Sequence, residues 1–133
     1  MEKYKKLTLN GLNTKAEILS VYDGDTFTAG IEFLNDFYKF RFRILEIDTP
    51  EIKTDFENAI ISRNRFLQLI GLDIDLNSKL TKKEIQNLLI ANCLFVDVEC
   101  HNFDKYGRIL CKIYKDGVDL GNVLIIEKFA RTY

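Results

Sequence analysis

Two short acidic stretches and two arginines carry the residue types and spacings that suit chemistry in this chain. The first stretch is Asp23-Gly24-Asp25-Thr26. Asp-Gly alone is a common turn between strands. A turn needs only one aspartate, however, and Asp25 begins the next strand, where aspartate is disfavoured. That placement suggests a ligand for a hard cation. The second stretch, Glu46-Ile47-Asp48-Thr49-Pro50-Glu51, puts three carboxylates within six residues. Pro50 biases Thr49 toward extended backbone, which argues for a defined bend over a loose acidic loop. Asp25 and Asp48 could share one oxygen-ligated ion, with the Thr49 carbonyl and waters completing a calcium-like shell. Arg43 sits among apolar strand residues, and Arg108 follows Asp104-Lys105-Tyr106-Gly107. Either arginine alone reads as a surface residue. Guanidinium forks nevertheless match the negative charge that develops on phosphoryl oxygens when a phosphodiester is hydrolysed. With Glu51 to orient or deprotonate water, these groups form a sufficient set.

What is missing narrows the chemistry further. The single histidine, His101, excludes mechanisms that need a histidine pair, and it reads as a strand-end surface residue. There is no G-x-x-x-x-G-K-[ST] loop and no serine in a nucleophile-elbow pattern. Cys93, Cys100 and Cys111 contain no C-x-x-C pair, which argues against structural zinc. Cys93 and Cys111 lie in apolar, strand-like contexts and read as small buried hydrophobes. A net charge of -1 over 133 residues means that any basic surface is local. That counts against a broad grip on long nucleic acid, but not against cutting one phosphodiester. No apolar run reaches membrane-spanning length. The charged opening, Met1 to Lys6, lacks an apolar stretch after it, and the cysteines suit a reducing compartment. A cytoplasmic, monomeric protein with no membrane partner is expected.

The elements that must position these residues can also be read. Ala16 to Val21 is an apolar run leading into Asp23-Gly24. Phe27, Ala29, Ile31 and Phe33 then alternate with polar or small residues, the period-two pattern of a half-buried strand. Asn35-Asp36 marks a hairpin turn. Phe40, Phe42 and Ile44 follow on one face of a third strand, with Lys39, Arg41 and Arg43 on the other. A capping box at Thr54 and Glu57 opens a helix with a stripe of Phe56, Ile60, Leu67 and Ile70, and Gly71 ends it. The polar segment Asp73 to Lys79 precedes a second capping box, Thr81 with Glu84, and a Leu80–Ile85 staple. Leu94 to Cys100 and Arg108 to Tyr114 read as two more strands, and Leu120 to Arg131 as a terminal helix. Five short strands with an inserted helix fit an α+β, five-stranded OB-type barrel with about three helices. That architecture by itself names no chemistry.

Taken together, Asp-Gly-Asp-Thr at 23 to 26, Arg43, Asp48-Thr49-Pro50-Glu51 and Asp104-Lys105-Tyr106-Gly107-Arg108 resemble the staphylococcal-nuclease (thermonuclease) family in order and spacing. Each motif alone is weak, and their combination is specific. The resemblance runs over residues 15–133, preceded by an extension over 1–14, with a helical insertion near 72–89. It implies a Ca2+-dependent nuclease that cleaves DNA and/or RNA with little sequence preference and leaves 3′-phosphate ends. Asp25, Asp48 and the Thr49 carbonyl would hold calcium. Arg43 and Arg108 would bind the scissile phosphate, and Glu51 would orient or activate water. Lys105, Tyr106 and Tyr133 would line the nucleotide pocket, with Asp23 and Thr26 in support. The rival readings are a catalytically silent member of the same fold and an unrelated OB-type interaction domain. Both would bind nucleic acid or protein without cutting.

Overall fold

Alternation of apolar and polar side chains drives the first half of the chain into a three-stranded meander. The computed structural model describes residues 3–133; Met1 and Glu2, part of the expected 1–14 extension, lie outside the described residues. The meander comprises β1 (Asn13–Asp23), β2 (Thr26–Phe33) and β3 (Asp36–Ile44). Strand β4 (Ile47–Asp48) and helix α1 (Phe56–Leu69) follow, then α2 (Lys82–Asn92), β5 (Phe95–Phe103) and β6 (Ile109–Lys115). The chain ends with β7 (Val118–Asp119), α3 (Leu120–Ile126) and β8 (Arg131–Thr132).

Strands β3, β2, β1, β5 and β6 lie side by side, and a parallel β3–β6 pairing closes them into a five-stranded mixed barrel. With the three helices this is an α+β, OB-like barrel. Phe27 and Phe42 face inward on paired strands and stack at 5.1 Å, and Phe66 of α1 meets Phe27 at 5.8 Å. Helix α1 therefore plugs the barrel with an aromatic knob. Burial of such a side chain contributes about 1.5–3 kcal/mol. The core also takes in Leu9, so part of the segment before residue 15 belongs to the barrel, and β1 starts at Asn13. Among the described residues no helix is long and apolar enough to cross a membrane.

Several local expectations need correction. The hairpin turn centres on Leu34-Asn35, both with positive φ, so Phe33 pairs with Asp36. Helix α1 takes Asp55 as its N-cap without a side-chain cap bond, so the Thr54–Glu57 box does not form. Phe56, expected in the buried stripe, is exposed. The Thr81–Glu84 box does form, and Leu80 and Ile85 both pack on the core. Cys93 is not a buried strand residue: it is exposed and ends α2 in a left-handed conformation. Cys100 and Cys111 are the buried pair, opposite each other on β5 and β6.

The polar segment between α1 and α2 is tied down from inside. The Asn64 side chain, fully buried in α1, donates to the carbonyls of Asp75, Leu76 and Ser78 at 3.2, 2.7 and 2.8 Å. This anchors the turn that leads into α2, which packs against β1 through Ile85 and Leu89.

Helix α3 stops at Ile126, five residues short of the expected Arg131. Lys128 adopts φ 66°, its amide reaches the Ile125 carbonyl, and the Phe129 amide reaches that of Leu124. This is a Schellman stop with lysine where glycine is usual. The released residues turn back as β8 and pair with β4, Asp48 opposite Arg131.

Candidate active site

The turn between β1 and β2 builds the floor of the site. Asp25 is 4% exposed, and its carboxylate is held from three directions. Arg43 Nη1 donates to Oδ2 at 2.7 Å, the Thr49 amide to the same oxygen at 3.1 Å, and the Thr26 hydroxyl to Oδ1 at 3.1 Å. Arg43 reaches Asp25 because β2 and β3 pair Thr26 with Arg43. Gly24 allows the approach of Thr49: a Cβ there would stand 2.8 Å from Thr49 Cγ2 and 3.2 Å from Ser62 Cβ on α1. The glycine lets the turn, the bend and the helix meet.

The two aspartates of the turn are electrostatically unequal. Burial opposes the charge of Asp25, but hydrogen bonds from Asp23 and Arg43 and the guanidinium charge hold its pKa below the usual carboxylate value. Asp23 has no cation within 4.0 Å among the described residues. Burial first, then the Asp25 carboxylate, push it up to about 8. At neutral pH a proton therefore offsets the second of these carboxylates, and a bound cation would take its place. The oxygen donors there are of the hard type, and the buried Thr49 Oγ1 has no hydrogen-bond partner among the described residues. Among the described residues no three acidic, histidine or cysteine side chains form a complete metal-binding group. The oxygen donors are of the kind a hard cation takes, and with fewer than three such side chains an ion held here would keep much of its water.

Asp48 stands on β4 and accepts Arg131 Nη2 at 3.2 Å, while Arg43 Nη2 lies 3.9 Å from its other oxygen. Glu51, just past the bend, is exposed at the cleft rim. Arg108 enters from the turn before β6. Its Nε and its amide both bond the Asp104 carboxylate, at 2.7 and 2.9 Å, and the Tyr106 amide bonds the same oxygen as the Arg108 amide. Asp104 thereby shapes the turn and aims the arginine together. The terminal guanidinium nitrogens of Arg108 make no hydrogen bond to the described residues.

These groups converge on one cavity of about 650 Å³. Asp23, Asp25, Thr26 and Arg43 line it, as do Asp48, Thr49, Glu51, Arg108 and Tyr133. Lys105 and Tyr106 do not. Their turn bears on the site indirectly, with the Tyr106 ring 5.3 Å from the Arg108 guanidinium. Tyr133 packs its ring 5.2 Å from the Arg43 guanidinium, a placement that the early stop of α3 makes possible.

The cleft also contains residues not singled out from the sequence: Tyr22, Arg41, Lys53 and Lys82. Arg41 had a readable signal, since it shares a strand face with Arg43. Lys82 had none, because only the docking of α2 brings it to the barrel. No protein-family model matches this chain, and no curated protein matches it either.

Proposed function

We propose that this chain is a calcium-dependent phosphodiesterase of the staphylococcal-nuclease type, hydrolysing DNA and/or RNA to 3′-phosphate ends. The observation that carries this reading is the convergence of Asp25, Arg43, Asp48, Glu51 and Arg108 on one cleft from separate parts of the chain. Asp25, Asp48 and the Thr49 carbonyl would hold the ion. When bound, calcium would offset the charge of the phosphodiester and draw it into the cleft.

The chain's own residues supply the rest. Arg108 is oriented through Nε, which leaves its terminal nitrogens to donate to phosphoryl oxygens. Arg43 lies deeper and presents its charge beside the same oxygens. Glu51 orients and deprotonates the attacking water. Water adds to phosphorus as Glu51 takes its proton, the bond from phosphorus to the 5′ oxygen breaks, and the 5′ oxygen leaves as a hydroxyl with a proton from solvent water. Glu51 then returns its own proton to the solvent. The phosphate stays on the 3′ side. Tyr133, beside Arg43, offers a ring face to a base.

One observation favours the silent-module alternative. Both guanidiniums already have a carboxylate at 2.7 Å, which leaves less of their charge for substrate. A plasmid-nicking assay in calcium, with and without chelator, separates the two readings. Cleavage that the chelator abolishes is expected. Arg43→Ala and Glu51→Ala should each lower the rate by about 10²–10³-fold, the usual loss on removing one transition-state or proton-transfer group. Retained cleavage in either variant would sink the mechanism. Binding without any cleavage by the unaltered protein would favour the silent module.

A further inference from the structure

The cleft does not end at the acidic turn. A second cavity of about 420 Å³ shares Ser20, Thr28, Arg41 and Lys82 with the first. The two are therefore one continuous groove across the outside of the barrel. Its extension lies within the roughly 300–1,000 Å³ that small-ligand sites occupy.

Strand register explains the shape. Lys39, Arg41 and Arg43 alternate along the outward face of β3, a row of cations two residues apart. Their partners on β2 are Gly30, Thr28 and Thr26, and Ser20 of β1 stands beside Thr28. The floor is thus small and polar, with the cation row along one side. Lys82 and Gln86, one turn apart on α2, form the other side. Among the described residues, Lys39, Arg41 and Lys82 have no acidic partner within 4.0 Å. Arg41 is aimed by a hydrogen bond to the Tyr106 carbonyl at 2.6 Å. Lys82 opens the first turn of α2, where the helix dipole disfavours a cation. Beyond the charges, the exposed Ile90 of α2 adds apolar surface. A basic track with apolar surface beside it suits an unpaired nucleotide, because a paired base cannot offer its face.

We propose that this groove holds the nucleotide next to the scissile bond in a single strand, its phosphate between Arg41 and Lys82 and its base against Ile90. The proposal rests on the phosphodiesterase reading for what enters the cleft, but it tests separately.

Fluorescence anisotropy of a labelled single-stranded oligonucleotide, with chelator present so that no cleavage intervenes, reads the groove directly. Lys82→Glu is the main variant, and a glutamate in the first helical turn suits the dipole, so the fold is not put at risk. Lys15→Glu makes the same charge change where β1 pairs with β5, outside the groove. Lys82→Glu should raise Kd by about tenfold and lower the salt slope by about 0.7 for the lost phosphate contact. Lys15→Glu should stay within about twofold, because solvent screens distant surface charges. Arg41→Gln should weaken binding in the same direction as Lys82→Glu. Equal losses in Lys82→Glu and Lys15→Glu, unchanged binding in Lys82→Glu, or duplex held as tightly as single strand would each overturn the groove. A protein that binds with this pattern but never cleaves would refute the nuclease reading and leave the groove standing.

Discussion

Replacing Gly24 by alanine puts a single methyl group where three parts of the candidate site touch. The new Cβ would lie 2.8 Å from Thr49 Cγ2, 3.2 Å from Thr49 Cβ and 3.2 Å from Ser62 Cβ. Carbon pairs prefer about 3.5–4.0 Å, so the closest contact must open by about 0.7 Å. Neither neighbour gives way freely. The Thr49 amide is bonded to Asp25, and the Ser62 hydroxyl to the Phe129 carbonyl at 2.7 Å. Overpacking of this kind costs about 1–3 kcal/mol. The opposing effect is smaller: Gly24 does not have the positive φ that strains alanine, so the stiffer unfolded chain returns about 0.4–1 kcal/mol. Crowding wins, and a net loss of about 1–2 kcal/mol should lower Tm by about 4–8 °C. Circular dichroism melts of Gly24→Ala measure this. Thr49→Ser removes Cγ2, the atom in closest conflict, so the double variant should recover part of the loss beyond additivity. A Tm equal to or above that of the unaltered protein, or no coupling with Thr49→Ser, refutes the reasoning. Calorimetric calcium binding on the same variant should also weaken, because relief of the clash moves Thr49 away from Asp25.

Two other outcomes follow from the geometry. Burial opposes the charge of Asp104, but bonds from the Arg108 amide and guanidinium and from the Tyr106 amide prevail and lower its pKa. Its stabilising effect is complete above the unfolded value of about 3.9 and fades as pH falls through the lower folded value. Asp104→Asn should therefore melt below the unaltered protein near neutral pH, with a gap that closes in acid; a gap constant with pH argues against the linkage. Cysteine labelling tests the corrected burial pattern. Cys93 is exposed, whereas Cys100 and Cys111 are buried, and burial raises the Cys100 thiol to about 11 and that of Cys111 well above its usual value. A thiol reagent should modify one cysteine quickly in the native protein and all three only in denaturant. Fast labelling of a second cysteine would contradict the β5–β6 pairing.

The parts of this protein that were legible in its sequence are those governed by near neighbours in the chain. Alternation along β2 and β3 needs only the side-chain period of a strand, and it placed Phe42 inward and Arg43 outward. The Thr81–Glu84 box and the Gly71 stop are likewise local geometries. The composition of the acidic turn and bend could also be read, because propensity flags an aspartate opening a strand and a proline restricts its neighbour.

The sequence was misleading where a local pattern had to compete with tertiary contacts. Thr54 and Glu57 have the spacing of a capping box, yet the bend fixed by Thr49 and Glu51 starts α1 at Asp55 instead. Lys128 takes a left-handed conformation that glycine usually announces, so the end of α3 carried no readable signal. That stop brings Tyr133 to Arg43. The placement of Lys82 was equally hidden, since α2 reaches the barrel through the burial of Ile85 and Leu89 and the grip of Asn64 on the preceding turn. The residue types that could do chemistry are thus a property of the sequence itself. Their convergence on one cleft, and the continuation of that cleft toward α2, come from barrel closure and helix docking. Those depend on burial between residues far apart in the chain, which no local pattern encodes.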